Sequence, residues 1–174
     1  MNNRIKLRVI PFSEWRREIA PLWLMHGNYT KVYSVLNAHG QMQYVGKELF
    51  ERILLFPIAA SYEGQRVGWT SIYNISDSAL RIRGIYVMPE FRSNGIGWTM
   101  AEYAMELWPS SWTDCFMYAR ASNVERYKRW GFDVVKSFRL RSLEHADMFN
   151  ESGVLLMKKT RALRSSSAVN FDRI

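Results

Sequence analysis

The sequence is poor in the residues that form covalent cross-links and metal sites. A single cysteine, Cys115, among 174 residues excludes a disulfide within the chain. The three histidines, His26, His39 and His145, lack the short spacing that is typical of metal ligands. We therefore expect no metal, and we interpret Cys115, which lies in an apolar run, as a buried small hydrophobe.

Long hydrophobic runs are also missing. No stretch reaches the ~20 apolar residues of a transmembrane helix, and the N-terminus, Met-Asn-Asn-Arg-Ile-Lys, lacks the apolar region and cleavage site of a signal peptide. We expect a soluble, cytoplasmic protein without membrane contacts. With 48% hydrophobic residues and no linker rich in Pro or Gly, the 174 residues predict one folded domain.

Acidic residues are fewer than basic ones, which gives a net charge of +8. From residue 158 to the end, five basic residues face one acid, Asp172. We predict a folded domain over residues 1–160 and a basic, mobile tail over 161–174. The tail is interpreted as a solvated extension, and the alternative is contact with nucleic acid.

Alternation and turn residues predict strands that are interrupted by helices. The predicted strands cover residues 5–12, 58–61, 67–73, 80–87, 114–119, 134–140 and 153–157. Helices are predicted from an N-cap at Ser13 to about Met25, over 43–55, from Gly97 to Pro109, and from Asn123 to Gly131. Three antiparallel strands therefore precede the central helix.

The central stretch, residues 83–98, predicts a strand, a turn and the start of a helix. Residues 85–87 favour a strand, Pro89 cannot continue it, and Gly95 and Gly97 open the helix. Residues without a Cβ at a loop-to-helix junction let several backbone N–H groups point at one bound anion. Arg92 adds a charge that can hold a phosphate bidentately. Neither the dinucleotide-binding glycine pattern nor the Walker pattern is present.

Two motifs carry a resemblance to a known family. Val87-Met-Pro89-Glu-Phe-Arg92-Ser-Asn-Gly95-Ile-Gly97 resembles the acyl-CoA signature of the GNAT N-acetyltransferases, Val-x-Pro-x-x-Arg/Gln-x-x-Gly-x-Gly/Ala. A second segment, from Arg120 through Asn123 and Tyr127 to Gly131-Phe132, is similar to the family's later motif. The resemblance covers about residues 4–160. It implies an α/β (α+β) GNAT fold: a mixed, mostly antiparallel seven-stranded sheet, flanked by about four helices and splayed between its fourth and fifth strands.

The resemblance also implies a cofactor, acetyl-CoA or another acyl-CoA, and the residues that bind it. The backbone of the fourth strand would pair with the pantetheine, and the following turn would hold the pyrophosphate. Asn123 would contact the pantetheine, and Tyr127 would bind the cofactor and protonate the thiolate. The other implied cofactor-binding residues are Ile85, Tyr86, Val87, Arg92, Ser93, Asn94, Gly95, Ile96, Gly97 and Trp98.

The sequence departs from the family pattern in two places. Asn123 and Tyr127 are four residues apart, whereas seven separate the corresponding residues in many members, so Arg120 stands at the usual Asn position. The usual glutamate bases are also missing, because the fourth strand offers Arg81 and Arg83 and the fifth-strand position is Tyr118. Proton removal through water by another acid, loss of the proton to solvent, or an acceptor of low pKa remain open. The candidate acids are Glu48, Glu51, Glu63, Glu90 and Asp114.

The acceptor is left open. The early helices would wall its pocket, and the candidate substrate contacts are Tyr29, Tyr33, Arg81, Arg83 and Tyr118, with His26, His39 and Tyr44 as further aromatic or polar side chains nearby in the chain. The leading hypothesis is an acetyltransferase that acts on a primary amine of a small molecule or protein. The alternatives are a nucleic-acid-modifying transferase that resembles the phage Mom-type DNA modifiers, and a non-catalytic GNAT-fold binding protein. A dimer is the expected assembly if the chain associates.

Overall fold

In the computed structural model of the chain, the residues described are 5–19, 34–36, 42–45, 49, 56–76, 78–107, 112–138 and 154–161. The strands within them are β1 Ile5–Val9, β2 Ser34–Leu36, β3 Met42–Tyr44, β4 Phe56–Tyr62, β5 Gln65–Ser76, β6 Ala79–Val87, β7 Asp114–Arg120, β8 Asp133–Phe138 and β9 Val154–Thr160. Three α-helices have their full span in these residues: α1 Phe12–Glu18, α2 Ile96–Glu106 and α3 Val124–Arg129. Short 3₁₀ turns, Pro89–Phe91 and Ala121–Asn123, precede α2 and α3.

Seven strands form one sheet in the order β1-β4-β5-β6-β7-β9-β8. All neighbouring pairs are antiparallel except β6 and β7, which are parallel. β6 and β7 are parallel because α2 connects them. The helix returns the chain to the end of the sheet where β6 begins, and β7 starts at that same end. This is the predicted mixed sheet, and β6 and β7 are its fourth and fifth strands. β2 and β3 form a separate two-stranded sheet.

Each face of the large sheet packs against a helix. On the α2 face, Leu80 and Ile82 pack with Ala101 and Ala104 of α2 in a core that also holds Tyr127 of α3. On the α1 face, Trp15 packs with Trp69 and Tyr73. Residues of opposite faces alternate along β5 and β6, as the pleat of a strand requires.

A tight turn fills the gap between the predicted strands 58–61 and 67–73. Glu63 and Gly64, with φ of 48° and 85°, connect β4 to β5 by a two-residue turn of the left-handed kind that suits a hairpin. The next turn is shorter than predicted, since Asn74 and Ser76 still pair with β6.

Helix α1 corrects one predicted boundary. The helix begins at Phe12 with Pro11 as its N-cap residue, so Ser13 lies inside the helix and does not cap it. Pro11 presets the backbone before the first turn, and the ring of Phe12 packs 5.0 Å from that of Trp15. At the end of β1, Val9 is 37% exposed, whereas the following Ile10 is buried. Residues 20–25 of the predicted helix lie outside the described residues.

The helix predicted over 43–55 is wrong at its start. Residues 42–44 form β3, which pairs with β2. The helical spacing of Val45 and later apolar residues gives no information about a partner strand, and backbone pairing decides the conformation of this stretch. Residues 46–48 and 50–55 lie outside the described residues. None of the described helices is long and apolar enough to span a membrane.

Candidate active site

The sheet opens between β6 and β7. Only three residue pairs join these strands, from Ala79–Asp114 to Arg81–Phe116, although β6 continues to Val87 and β7 to Arg120. We call the opening beyond Arg81 and Phe116, between residues 82–87 and 117–120, the strand split. The outer edges of both strands stay paired with β5 and β9. The split therefore leaves one edge of β6 available to an extended ligand, and the predicted splay is confirmed.

A β-bulge at Gly84 shapes the β6 side of the strand split. Trp69 of β5 pairs with Tyr86, and Ser71 pairs with Arg83. Two steps along β5 therefore correspond to three steps along β6. Gly84 has φ of 61°, the left-handed conformation that glycine adopts at such bulges. Because the extra residue shifts the pleat by one, Arg83 and Tyr86 both lie on the α1 face.

The loop of residues 88–95 is held to the sheet by its own backbone. The Met88 N–H donates to the Val67 carbonyl at 2.9 Å, and the Phe91 N–H donates back to Met88 at 2.9 Å. Nε of Arg92 donates to the Val87 carbonyl at 2.9 Å, and its guanidinium lies over the Tyr86 ring, 5.7 Å from the centroid. The side chain of Arg92 is thus fixed at the mouth of the strand split.

The start of α2 presents a run of backbone N–H groups. The Thr99 N–H donates to the Gly95 carbonyl at 3.0 Å, whereas the amides of residues 93–98 make no backbone hydrogen bond among the described residues. Ser93 and Gly95 have φ of 66° and 78°, which turn these amides toward one side of the loop. A Cβ at Gly95 would meet no atom within 4 Å, so the space beside it is open. These features fit a diphosphate, and the exposed Arg92 adds positive charge beside it.

Three aromatic rings connect this loop to α3. Trp98 lies 5.4 Å from Trp130, which lies 5.0 Å from Tyr127. A Cβ at Gly97 would meet Cγ2 of Ile85 at 3.4 Å and Cη2 of Trp130 at 3.5 Å, so α2 approaches β6 closely at this glycine. The glycine therefore permits the packing that brings α2, α3 and β6 together.

Tyr127 points into the core, as predicted. It is 9% exposed, and α3 ends at Gly131, whose φ of 80° stops the helix. Burial raises the pKa of the Tyr127 phenol, and the charge of Arg126 opposes this shift. The phenol is therefore protonated at neutral pH. Asn123 occupies the N-cap position of α3, but its side chain makes no capping hydrogen bond.

Arg81 and Arg83 lie on the α1 face beside the strand split. They are only 5% and 4% exposed, so they are not part of an exposed basic surface for nucleic acid, and this correction removes one support of that alternative. Arg81 donates to the Tyr73 hydroxyl at 2.6 Å and lies between the rings of Tyr73 and Tyr118, with centroid distances of 5.6 and 5.1 Å. Burial, and then the charge of Arg81, lowers the pKa of Arg83 to about 9.

The candidate acids do not lie in the strand split. Asp114 is at its closed end, where it accepts a hydrogen bond from Thr160 at 2.8 Å and lies 3.4 Å from Lys158. Glu63 is in the β4–β5 turn, and Glu90 is exposed in the 3₁₀ turn before α2. Glu48 and Glu51 lie outside the described residues. No group of three or more His, Cys, Asp or Glu residues suitable for a metal occurs in the described residues.

The predicted site residues thus divide into three sets. Residues 85–87 and 92–98 meet at the mouth of the strand split, and Tyr127 belongs to the core cluster that includes Ile85 and Trp98. Arg81, Arg83 and Tyr118 form a second group on the α1 face. Tyr29, Tyr33, His26, His39 and His145 lie outside the described residues, and Tyr44 is in β3.

The sequence reasoning missed four residues that shape the site. A Cβ at Gly68 would meet the Tyr86 carbonyl oxygen at 2.8 Å, so only glycine permits this approach of β5 to β6. A glycine within a strand signals a bulge or a close backbone approach, and this signal could have identified Gly68 and Gly84. Tyr73 and Trp130 carried no such signal, because each packs in part against a residue distant in the chain, Trp15 and Trp98 respectively.

Solved structures with a similar fold are acetyltransferases. A GNAT family acetyltransferase from Elizabethkingia anophelis with acetyl-CoA bound has a TM-score of 0.60 at 12% identity, over 92% of this chain and 100% of that one. Arabidopsis thaliana Naa50, in complex with the bisubstrate analogue CoA-Ac-MVNAL, has a TM-score of 0.60 at 13% identity, over 91% and 99%. The ribosomal-protein-S18-alanine N-acetyltransferase of Escherichia coli gives 0.58 at 13%, over 94% and 97%. The fold is that of the GNAT acetyltransferases.

The sequence itself places the chain within this class. The model of the acetyltransferase (GNAT) family matches residues 15–132, which is more than half of the chain. The chain therefore belongs to the GNAT acetyltransferase family, as its two motifs predict. It is an N-acetyltransferase, and its acyl donor is acetyl-CoA or another acyl-CoA. A sequence comparison with curated proteins gives no match.

Proposed function

We propose that the protein transfers an acetyl group from acetyl-CoA to a primary amine of a small molecule or protein, by direct attack of the amine. The observation that supports this most directly is the position of the unpaired amides of residues 93–98 at the mouth of the strand split. The unpaired amides suit a diphosphate, and the free edge of β6 in the strand split suits an extended pantetheine arm. Together they fit an acyl-CoA. The catalytic domain in this proposal spans residues 1–160, followed by the basic tail of 161–174.

The residues of the loop and of β6 divide the binding of the donor. The amides of residues 93–98 and the Arg92 guanidinium hold the diphosphate, and the free edge of residues 85–87 pairs with the pantetheine amides. Asn123, half-buried at the start of α3, provides a further polar contact for that arm. Acetyl-CoA supplies a thioester whose carbonyl carbon is open to a neutral amine. A backbone N–H of the free β6 edge polarises that carbonyl.

Tyr127 is the proton donor in this proposal. Its buried phenol keeps its proton at neutral pH because burial raises its pKa. A phenol and a thiolate of comparable basicity exchange a proton readily, so Tyr127 can protonate the departing sulfur.

The acceptor amine must lose a proton before it attacks. Positive charges lower the pKa of a nearby ammonium group, because like charges disfavour the protonated form. Arg81 and Arg83 supply two such charges on the α1 face of the strand split. The amine can therefore be neutral in the site without a carboxylate beside it, and its proton passes to water.

Two glycines provide a matched test of donor binding. Gly95 and Gly64 both have left-handed φ, 78° and 85°, and a Cβ at either position would meet nothing within 4 Å. Alanine at either position therefore costs about 1 kcal/mol of backbone strain, with no new clash. We expect Gly95→Ala to weaken acetyl-CoA binding about 10-fold or more in calorimetry, because the amides of the loop lose their alignment.

Gly64→Ala is the control. It should show a similar loss of unfolding free energy but an unchanged dissociation constant for acetyl-CoA. Equal affinities of the two variants, or no binding by the wild-type protein at millimolar acetyl-CoA, would show that residues 93–98 do not hold the donor.

A further inference from the structure

Two arginines are buried side by side in the sheet, where charged groups are rare. Arg81 and Arg83 are 5% and 4% exposed and project from β6 onto the same face. Arg81 is also the last residue of β6 that pairs with β7, so its side chain lies where the strand split begins. Their position puts two positive charges beside the place where the acceptor must meet the acetyl group.

The charge of Arg81 has no opposite charge among the described residues. Its guanidinium donates to the Tyr73 hydroxyl at 2.6 Å, while its Nε is buried and has no hydrogen-bond partner. No described carboxylate forms an ion pair with it. A buried cation without a counter-ion is costly, and so is a buried N–H without an acceptor. An anionic group on a ligand would compensate both costs.

Two tyrosines form the walls around Arg81. Tyr73 is 1% exposed and directly opposite Arg81 on β5, whereas Tyr118 is half-buried on β7, across the strand split. The guanidinium lies 5.1 Å from the centroid of the Tyr118 ring. Because Tyr118 is more accessible than Tyr73, we expect a ligand to approach Arg81 past Tyr118. A ligand on this path is on the acceptor side of the strand split, since the loop of residues 88–95, which we propose to hold the donor, lies at the mouth beyond Val87.

We propose that the acceptor of this enzyme is an amine that carries a carboxylate, and that Arg81, assisted by the charge of Arg83, binds this carboxylate. The assignment rests on the proposed function, because it names the acceptor class of the same site. A carboxylate is the best match, since its two oxygens in one plane can accept from Nε and a terminal nitrogen of one guanidinium. A phosphate carries more charge and more acceptor atoms than the Nε edge of one guanidinium can satisfy.

The first experiment uses the wild-type protein with acetyl-CoA and pairs of acceptors. Each pair contains a carboxylate and its amide: free amino acids and amino-acid amides, short ω-amino acids and their amides, and peptides with free or amidated C-termini. Thiol release gives kcat/KM for each compound. We expect the acid of at least one pair to exceed its amide about 10- to 100-fold, the range of one charge-assisted hydrogen-bonded contact. The comparison of free amino acids with peptides distinguishes a carboxylate on a small molecule from the C-terminal carboxylate of a peptide.

Binding provides a second measurement that needs no turnover. With saturating CoA present, the acid of a pair should raise the melting temperature and its amide should not. O-phosphoethanolamine is included as a probe of the competing chemistry. A preference for amides, for O-phosphoethanolamine or for uncharged amines in both assays would overturn the proposal, and so would the absence of any shift with every acid tested.

Variants of Arg81 connect the selectivity to the residue. Arg81→Gln should lower kcat/KM for the acid about 10- to 100-fold more than for its amide, which brings the ratio of acid to amide to about one, and Arg81→Lys should keep part of the wild-type ratio. Arg129→Gln, which removes an exposed charge on α3, is the control and should keep the wild-type ratio. An unchanged ratio in Arg81→Gln would overturn the role of Arg81. If this variant does not fold, the Arg81→Lys variant and the wild-type pairs decide.

Failure of the proposed function gives a different result. Without donor binding, acetyl-CoA would release no thiol with any acceptor and would not raise the melting temperature. Donor binding and turnover with uncharged amines alone would retain the acetyltransferase and reject the carboxylate.

Discussion

Burial keeps the hydroxyl and thiol groups near the strand split protonated. It raises the pKa of Tyr127, and it raises the pKa of Tyr118 and of Cys115 to about 12 in each case. Tyr127 and Tyr118 are therefore hydrogen-bond donors at neutral pH. Cys115 is fully buried and uncharged, which confirms its interpretation as a small hydrophobe and makes it a poor nucleophile.

The raised pKa of Tyr127 determines the expected pH profile. A proton donor works below its own pKa, so we expect kcat to show no decrease from Tyr127 until the pH rises above 10. Tyr127→Phe should lower kcat about 10²- to 10⁴-fold, the range of general acid catalysis, with little change in acetyl-CoA affinity. Steady-state rates between pH 7 and 11, with calorimetry for the donor, check both parts.

The same shift affects stability at high pH. The folded-state pKa is above the unfolded value of 10, so the contribution of Tyr127 is present below pH 10 and is lost as the pH rises through the folded value. Tyr127→Phe should lack this loss.

Tyr103→Phe, on α2, is the control that should keep normal turnover. Wild-type kcat in Tyr127→Phe would show that another group protonates the sulfur.

At the scale of elements, one lysine of β9 ties the end of α3 to the sheet. Nζ of Lys159 donates to the Trp130 carbonyl at 2.7 Å and lies 4.7 Å from the centroid of the Trp98 ring. A cation at a helix C-terminus satisfies a free carbonyl and interacts well with the helix dipole. Lys158 and Lys159 thus belong to a strand, although the sequence grouped them with the basic C-terminal segment. The backbone N–H of Arg161 also donates a hydrogen bond to the Thr113 carbonyl at 2.7 Å.

Neighbouring lysines allow a matched comparison of stability. Lys159→Met should lower the free energy of unfolding by about 1 kcal/mol, because α3 loses its C-terminal contact. Lys158→Met removes only a 3.4 Å surface contact with Asp114 and should cost ~0.5 kcal/mol or less. Urea unfolding of both variants measures the difference, and equal losses would contradict the proposed tie.

At the scale of the whole molecule, the sheet consists of two blocks joined at one place. β1, β4, β5 and β6 form one block, and β7, β9 and β8 form the other. Among the described residues, their backbones are connected by the pairs from Ala79–Asp114 to Arg81–Phe116 and, beside them, by the Thr113 and Asp114 N–H groups, which donate to the Ser78 carbonyl. A donor bound in the strand split would contact both blocks, so donor binding should strengthen this junction.

Acetyl-CoA should therefore stabilise the protein and protect this junction. At 100 times its dissociation constant, a ligand adds about 2.7 kcal/mol, which raises the melting temperature by roughly 5–10 °C for a chain of this size. Hydrogen exchange should slow at the amides of residues 82–87 and 93–98. AMP, which lacks the pantetheine, is the control ligand and should not protect 82–87. Protection confined to other strands would contradict binding in the strand split.

Local features of the sequence predicted the loop before α2 and the approximate positions of α2 and α3. Pro89, Gly95 and Gly97 fix the loop and the start of α2 through their own backbone preferences, and Gly131 ends α3 in the same way. Such backbone preferences act within a few residues, so they can be predicted without knowledge of the segments that pack against them. The start of α1 was misplaced because Ser13 and Pro11 offer competing local signals, and the packing of Phe12 on Trp15 favours the earlier start.

The separation of Arg81 and Arg83 from Ile85 and Val87 depended on a single bulge, which the alternation of the strand conceals. With strict alternation, Arg81, Arg83, Ile85 and Val87 would share one face of β6. Gly84 shifts the pleat, so the arginines lie on the α1 face while Ile85 and Val87 pack near Gly97 of α2.

The sequence by itself determined the family, the loop of residues 88–95 and the inward position of Tyr127, because each depends on residues close together in the chain. The tertiary structure alone decided that Arg81 and Arg83 are buried, that Tyr73 and Tyr118 enclose Arg81, and that β6 separates from β7 beyond Arg81. These features depend on the packing of strands that are distant in the sequence. Burial and charge compensation arise only when those strands are brought together.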